Sequence, residues 1–475
     1  MNRLFAVAAT ALLAAGCVLP PKSEPKVSAL DAQALGLHGA SAAIASDGWW
    51  RAFGDPQLDQ LIQQSLANSP TLALALARIG EAQASTAVAR AGAQPSVALN
   101  GQEQRTRLSD KSYIPPPFGG HTFWIGQTTA DLSWDLDFFG RQAALIGQAH
   151  ALEQATTLDA QTARLALAGS LAQAYLQLNR AHTLLDIAQR TQQQRQEILD
   201  LTRRRADAGL APTFELRQAQ GALPQARVAR LQAQTQADLA VHQLAALAGM
   251  GADSYSHFTR PHLALDVVLP LPEQLPVDLL GRRPDVLAAR ARVEAAGAGR
   301  KAAKAAFYPD INLAAFVGVS AIGLSNLFTS GALTYGAGPA LHLPLFDSQR
   351  LKANYRGATA GYDEAVASYN DTVLQAVRQT ADQLSLIASL RQQLAEEHEQ
   401  LAATEDAFKL ASERYGAGIT AYLPVLTAES QVLAARQAQA DTVAAYATSR
   451  VTLLLALGGS FVPESNNDPK DGVQR

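Results

Sequence analysis

The sequence predicts an α+β membrane protein built from two copies of one unit, each with the order helix, strand, strand, very long helix, helix. The same series of motifs occurs in residues 48–250 and again in residues 276–460. In each half, two segments of alternating polar and apolar residues precede a long proline-free segment rich in helix-forming residues. This repeat determines the architecture of both halves at once.

The composition excludes several classes of protein. Of the 475 residues, 48% are hydrophobic but only 6% are aromatic, and the formal net charge is -3. A mean hydropathy of -0.02, with no later apolar run near the ~20 residues of a spanning helix, argues against a polytopic helical membrane protein. The near-neutral net charge gives no electrostatic indication of nucleic-acid binding. A single cysteine excludes a disulfide framework and a thiolate metal cluster.

The N-terminus carries targeting signals. Residues 1–16 have a short basic start and an apolar stretch, as a bacterial signal peptide does. The only cysteine, Cys17, follows two small residues and resembles the acylated cysteine of a lipobox, and Val18 after it favours sorting to the outer membrane. An ordinary secretory signal with an incidental cysteine is the alternative. Residues 17–47, proline-rich at their start, are expected to tether the lipid anchor to the folded chain.

Four landmarks define the internal repeat, and they occur in the same order at nearly the same spacing in both halves. The pairs are Pro70 and Pro284, Gln94-Pro95 and Tyr308-Pro309, Asp137–Arg141 and Leu345–Arg350, and Arg205–Leu210 and Arg414–Ile419. Residues 251–275 are expected to link the two repeats, and residues 461–475 to form a disordered tail.

The long helices are the strongest local signal. Residues 141–208 and 350–417 lack proline, and their apolar residues recur at three- and four-residue steps. At 1.5 Å per residue, each helix would be roughly 100 Å long. Gly209 and Gly418 follow directly as glycine C-caps, so the chain is expected to turn there and return in a second helix. An ordinary surface helix-turn is the alternative.

The strands are expected at about 96–107, 121–138, 310–320 and 332–346, ahead of the long helix in each half. Their alternation is typical of membrane strands that face lipid on one side and water on the other. Several aromatic residues are candidates for the interfacial girdles. They are Trp124, Trp134, Phe138, Phe316 and Tyr335. A soluble, half-buried sheet would alternate in the same way, so a single strand does not decide between the two.

The number of strands decides the oligomeric state if they cross a membrane. Four strands cannot close a barrel, since the smallest known have about eight. An open sheet edge in lipid leaves backbone groups unpaired, at several kcal/mol each. Copies must therefore combine, and three copies of a four-stranded unit would give twelve strands. The membrane interpretation thus predicts a homotrimer.

The sequence resembles the TolC-like outer membrane efflux proteins, in the lipoprotein (NodT-type) branch that serves resistance-nodulation-division pumps. The motifs that carry the resemblance are Leu279–Val286, Phe307–Ile311, Asp137–Arg141, the lipobox and the two Ala-Gly tip turns. Such proteins are trimers with a twelve-stranded outer membrane β-barrel, continuous with a long periplasmic α-helical barrel. They are passive exit ducts, used in multidrug resistance, that a periplasmic adaptor joins to an inner membrane pump. The resemblance implies this fold and function here, and places the linker in the equatorial region.

The same resemblance assigns candidate gate residues. The turns at Gly209-Leu210 and Gly418-Ile419 would be the periplasmic tips, where the tunnel is closed at rest. Many members place acidic residues just after the second tip, but this sequence has Thr420 there and no acid before Glu429, so Tyr422 or Leu423 could constrict the pore instead. Arg205 and Arg414, one beside each turn, are candidate contacts for the adaptor.

No residue pattern indicates catalysis, a cofactor or a metal site, so the chain is not expected to be an enzyme. Arg282-Arg283 is expected to order the start of the helix at Pro284 through backbone and carboxylate contacts. Substrates would depend on the partner pump, because a wide duct selects little. The alternative function is a structural envelope lipoprotein whose helices form a solid coiled coil rather than a channel.

Overall fold

A computed structural model describes residues 21–30, 35–37, 46–111, 118–265, 271–272, 274–276, 278–344 and 346–462. The predicted signal peptide, Cys17 and most of the predicted tail lie outside these ranges. Two compact units are present. The sheet unit comprises the described residues among 1–29, 78–156 and 288–369, and the helical unit those among 30–77, 157–287 and 370–475.

The order of elements confirms the predicted repeat. The first half contains α1 (Pro56–Asn68), α2 (Pro70–Ala91), β1 (Ser96–Arg107), β2 (Thr122–Asp135), α3 (Arg141–Asp207) and α4 (Thr213–Leu247). The second half contains α5 (Leu279–Arg282), α6 (Pro284–Ala305), β3 (Asp310–Ile322), β4 (Leu333–His342), α7 (Ser348–Gly416) and α8 (Tyr422–Ala456). Helices α3 and α7 have 67 and 69 residues, as the proline-free segments predict.

The start of α3 explains the motif at Asp137–Arg141. The Asp137 carboxylate accepts hydrogen bonds from the backbone N–H groups of Gln142 (2.9 Å) and Ala143 (2.8 Å), which lie in the unpaired first turn. Asp137 itself has a φ of 42°, and Gly140 has a φ of 73°. Strand β2 therefore ends at Asp135, three residues earlier than predicted, because the following residues are committed to the helix cap.

The four strands form one antiparallel sheet in the order β1-β2-β3-β4. Partners across the sheet share a face, so the register Leu99, Ala130, Val317, Tyr335 identifies an apolar face. The opposite face is mainly polar. It carries Asn100, Gln102, Gln127, Thr129, Asp131, Ser133, Asn312 and Ser320. Strand β4 ends at His342 rather than near 346, two residues before Pro344, which has no N–H for a strand ladder.

The core of the helical unit anchors the segment before α1 against the long helices. Trp49, Trp50 and Phe53 pack with buried residues of α1, α3, α4 and α8. The buried hydroxyl of Tyr175 donates a hydrogen bond to the Asp55 carboxylate at 2.8 Å. Asp55 also caps α1, so one carboxylate joins the helix start to the core.

The motif at Arg282-Arg283 has the contacts that its sequence predicts. The buried guanidinium of Arg283 binds the Asp285 carboxylate at 2.7 and 3.0 Å and donates to the backbone oxygen of Ala456 at 3.0 Å. Arg282 pairs with Asp278 at 2.6 Å. Arg283 thus connects the start of α6 to the end of α8 in the helical unit.

Candidate functional site: helix tips and strand sheet

The two tip turns share one backbone geometry. Gly209 has a φ of 71° and Gly418 a φ of 77°, a left-handed conformation that favours glycine. The N–H of Leu210 donates to the carbonyl of Arg205 at 2.8 Å, and that of Ile419 to the carbonyl of Arg414 at 2.9 Å. This six-to-one bond ends each long helix as a Schellman motif. The turns define a first hairpin (α3 and α4) and a second hairpin (α7 and α8).

An apolar cluster joins the two hairpins just behind the turns. We call it the tip cluster, and its members come from all four helices. They are Leu199, Ala219, Leu223, Tyr415, Tyr422 and Val425. Each is buried, and the rings of Tyr415 and Tyr422 lie 5.7 Å apart. The cluster therefore ties the position of one hairpin to that of the other.

Polar groups in the tip cluster are paired between the hairpins. The hydroxyls of Tyr415 and Thr202 lie 2.8 Å apart, and the Tyr415 hydroxyl lies 3.5 Å from the Glu215 carboxylate. The other oxygen of Glu215 accepts the backbone N–H of Tyr422 at 3.3 Å. The guanidinium of Arg205 lies 4.5 Å from the centre of the Tyr415 ring and donates to that residue's backbone oxygen.

Burial keeps both tyrosine hydroxyls of the tip cluster neutral. Desolvation raises the pKa of Tyr422 to about 12, and the nearby Glu429 charge acts in the same direction. Desolvation also raises the pKa of Tyr415, although its hydrogen bond with Thr202 opposes this. Both groups therefore stay protonated, and available as donors, throughout the neutral range.

The structure separates the two residues proposed to constrict the pore. Tyr422 is 1% exposed and its ring packs inside the tip cluster, so the prediction that this side chain could constrict a pore is wrong for this conformation. Leu423 is 60% exposed and remains a candidate. Leu210 and Ile419 project from the turns as exposed apolar residues. The hydroxyl of Thr420 is buried and has no hydrogen-bond partner among the described residues.

The two arginines proposed to contact an adaptor differ in their surroundings. Arg205 is half-buried, and its guanidinium contacts the ring and the backbone oxygen of Tyr415. It therefore contributes to the contact between the two hairpins of one chain. Arg414 is exposed, and its role stays a prediction. Sequence reasoning missed Thr202, Glu215 and Tyr415, which each lie within one or two turns of a tip glycine. Only their proximity in the fold identifies them as partners.

The apolar face of the sheet contains three of the five proposed girdle residues. Trp124, Trp134 and Tyr335 lie on it, and the indole N–H of Trp134 donates to the backbone oxygen of Ala93 at 3.1 Å. Trp134 and Tyr335 are partly exposed, as a surface in contact with lipid requires.

The other two proposed girdle residues do not lie on this face. Phe316 pairs with Asp131 and Gly336, which places it on the polar face. Its ring covers Gly336, where a Cβ atom would lie 2.8 Å from the ring. Phe138 lies in the turn after β2, because the chain leaves the sheet at Asp135 to cap α3.

Two further properties of the described residues bear on function. No helix among them combines the length and apolarity that crossing a membrane requires. In the same part of the chain, no group of three or more His, Cys, Asp or Glu side chains is placed to bind a metal ion.

Comparison with known proteins gives one consistent result. The model of the family described as outer membrane efflux protein matches residues 61–250 and 275–459. The fusaric acid resistance protein FusA of Burkholderia cepacia is 38% identical over 368 residues, which are 75% of this chain and 69% of that protein. The probable efflux pump outer membrane protein TtgC of Pseudomonas putida is 31% identical over 469 residues, covering 97% and 96% of the two chains. The crystal structure of the outer membrane protein VceC of Vibrio cholerae matches with a TM-score of 0.83 and 33% identity, over 88% of this chain and 100% of that one.

Proposed function

Because this chain belongs to the outer membrane efflux protein family, we propose that three copies form a passive exit duct across the outer membrane, gated at the periplasmic helix tips. The protein is the outer membrane channel component of a tripartite efflux pump and extends into the periplasm. A periplasmic adaptor would join it to an inner membrane pump of the resistance-nodulation-division class. The pump would supply the free energy, so the duct itself needs no catalytic residue.

The main observation in support of the trimer is that the four-stranded sheet is not closed. Among the described residues, β1 and β4 each pair with one neighbour only, so both edges are open. Open edges in lipid leave backbone groups unpaired at several kcal/mol each, whereas joining β4 of one copy to β1 of the next removes every edge. The exposed apolar face supports a position in lipid, with the polar face towards the lumen.

Mass and conductance test this proposal together. We expect the detergent-extracted particle to have close to three times the 50.2 kDa chain mass and to give stable single-channel conductance in planar bilayers. A monomeric particle, or a trimer that conducts at no voltage, would contradict the duct and favour a solid helical bridge.

A matched pair of substitutions in β1 tests which face meets lipid. Leu99 lies on the apolar face and Gln102 on the polar face of the same strand. Leu99→Lys should reduce insertion strongly, since a lysine facing lipid costs about 2–4 kcal/mol at the bilayer midplane. Gln102→Lys should insert normally. Equal insertion of the two variants would exclude the assignment of faces.

Lipid attachment at Cys17 is part of the proposal. An acylated cysteine would fix the N-terminus to the outer membrane independently of the sheet. Cys17→Ser should abolish palmitate labelling while the rest of the chain still folds. Continued labelling of that variant would refute the assignment.

A further inference from the structure

A buried ion pair joins the two hairpins on the far side of the tip cluster from the turns. Nε of Arg195, on α3, lies 3.2 Å from the Oε1 atom of Glu429, on α8. The side chains are only 9% and 3% exposed, so both charges are buried. Glu429 lies two helical turns beyond Tyr422, or about 10 Å along α8.

The arginine also binds the return helix of the first hairpin. Nη1 of Arg195 donates to the backbone oxygen of Ala222 at 2.9 Å and to the side-chain oxygen of Gln225 at 3.2 Å, both on α4. By contrast, the Oε2 atom of Glu429 is buried without a hydrogen-bond partner in the described part of the chain. Nε and Nη1 of Arg195 thus have acceptors, while only one of the two carboxylate oxygens of Glu429 has a donor.

Such a pair is a poor way to stabilise a fold. Removing two charges from water costs several kcal/mol per ion, and their attraction repays this only when the remaining hydrogen bonds are also satisfied. Burial raises the pKa of the Glu429 carboxyl, although the charge and hydrogen bond of Arg195 act in the opposite direction. The charge of Glu429 in turn acts to raise the pKa of the Tyr422 hydroxyl on the same helix.

The position of the pair between the hairpins points to a role in their movement, although the pair contributes little to the stability of the fold. It spans α3, α4 and α8, so any movement of the second hairpin away from the first must separate the two charges. Separation would return both ions to water and recover their hydration. The pair is therefore favourable only while the hairpins are packed, and little free energy is needed to exchange it for hydrated ions.

We propose that the Arg195–Glu429 pair is a latch that holds the second hairpin against the first when the tips are closed, and that opening hydrates and separates the two charges. This inference rests on the proposed function as a gated duct. It assigns a positioning role to both residues, which act on the gate through the packing of the helices.

Two variants of the pair should differ in their effect on gating. Glu429→Gln leaves a buried guanidinium without a counter-charge in the closed state only, so the open fraction in planar bilayers should rise about tenfold or more. The double variant Arg195→Met/Glu429→Leu replaces the pair with apolar side chains that prefer to stay buried. Its open fraction should be equal to or below that of the unmodified protein.

The chain offers a matched control on the same two helices. Arg180 on α3 pairs with Asp441 on α8 at 2.7 Å, but these side chains are 36% and 49% exposed. Exposed pairs contribute little, so Asp441→Asn should leave the open fraction unchanged. The mass of each particle, measured in parallel, shows whether the variants still assemble.

Three results would overturn the latch. The first is a Glu429→Gln trimer that gates like the unmodified protein, and the second is an equal rise in Asp441→Asn. If Glu429→Gln does not assemble, the double variant decides, because an open fraction above that of the unmodified protein would be the third contrary result. Failure of the proposed function is distinguishable, since the unmodified protein would then form no trimeric channel at all.

Discussion

Replacing Tyr415 by phenylalanine removes one hydroxyl from the tip cluster and keeps the ring in place. The ring would still lie beside Tyr422 and beneath the guanidinium of Arg205. What is lost is the 2.8 Å hydrogen bond with Thr202 and the 3.5 Å contact with Glu215. The substitution therefore tests the polar link between the hairpins separately from their apolar packing.

The structure sets the size of the effect. A net hydrogen bond contributes about 0.5–1.5 kcal/mol, and the contact with Glu215 is at the long limit and adds little. Thr202 is not left unsatisfied, because its hydroxyl also donates to the backbone oxygen of Ile198 at 2.8 Å. We therefore expect the closed state to lose about 1 kcal/mol, which multiplies the ratio of open to closed channels by about five.

The assay is the open fraction of single channels in planar bilayers. Tyr355→Phe is the control, because Tyr355 lies on the same helix but packs with Phe307 and Leu351 in the sheet unit. Adding Thr202→Val to Tyr415→Phe should change little more, since both substitutions remove the same bond. The reasoning fails if Tyr415→Phe gates like the unmodified protein, or if the control shows the same shift.

Three further predictions concern stability. Tyr175→Phe should lower the free energy of unfolding by about 1–2 kcal/mol, seen as a lower Tm, because it removes a buried donor to the Asp55 carboxylate. Gly336→Ala should reduce the yield of trimers in detergent, because the new Cβ would collide with the Phe316 ring; Phe316→Ala in addition should restore the yield. Lowering the pH from about 7 to about 5 should stabilise the unmodified chain relative to Glu429→Gln in thermal unfolding. Burial raises the pKa of Glu429, so over this range the folded state binds its proton more tightly than the unfolded state does, and unfolding becomes less favourable as the pH falls. A constant difference in Tm between the two chains across that range would count against this linkage.

The sequence predicts the long helices almost to the residue because their signals are local. Absence of proline, helix-forming composition and a glycine at the end all act within one turn of the chain. The observed bounds Arg141–Asp207 and Ser348–Gly416 differ from the predicted ones by no more than two residues. The cap at Asp137 shows the limit of this reasoning. Its carboxylate caps α3, so β2 ends before it. The alternation of polar and apolar residues along the strand does not indicate this earlier end.

Side-chain roles were harder to predict because they depend on contacts between distant segments. Its residue type alone makes Phe316 a candidate for a girdle, but the register of β3 places it opposite Gly336, where the ring fills the space of a missing side chain. Its position after the second tip makes Tyr422 a candidate for a constriction, but the alanine-rich helix α8 has no clear apolar stripe that would identify its buried side. In both cases the partner is fixed only by tertiary packing.

The burial of Tyr422 also restricts how the tips can open. A side chain enclosed by four helices cannot change rotamer without displacing its neighbours, because a packed interior has no space to receive it. The links through Tyr415, Glu215 and the Arg195–Glu429 pair join the same two hairpins, so they must be released together. We therefore expect the proposed opening to be a movement of one whole hairpin relative to the other, between two discrete packings, rather than a local rotation of one side chain.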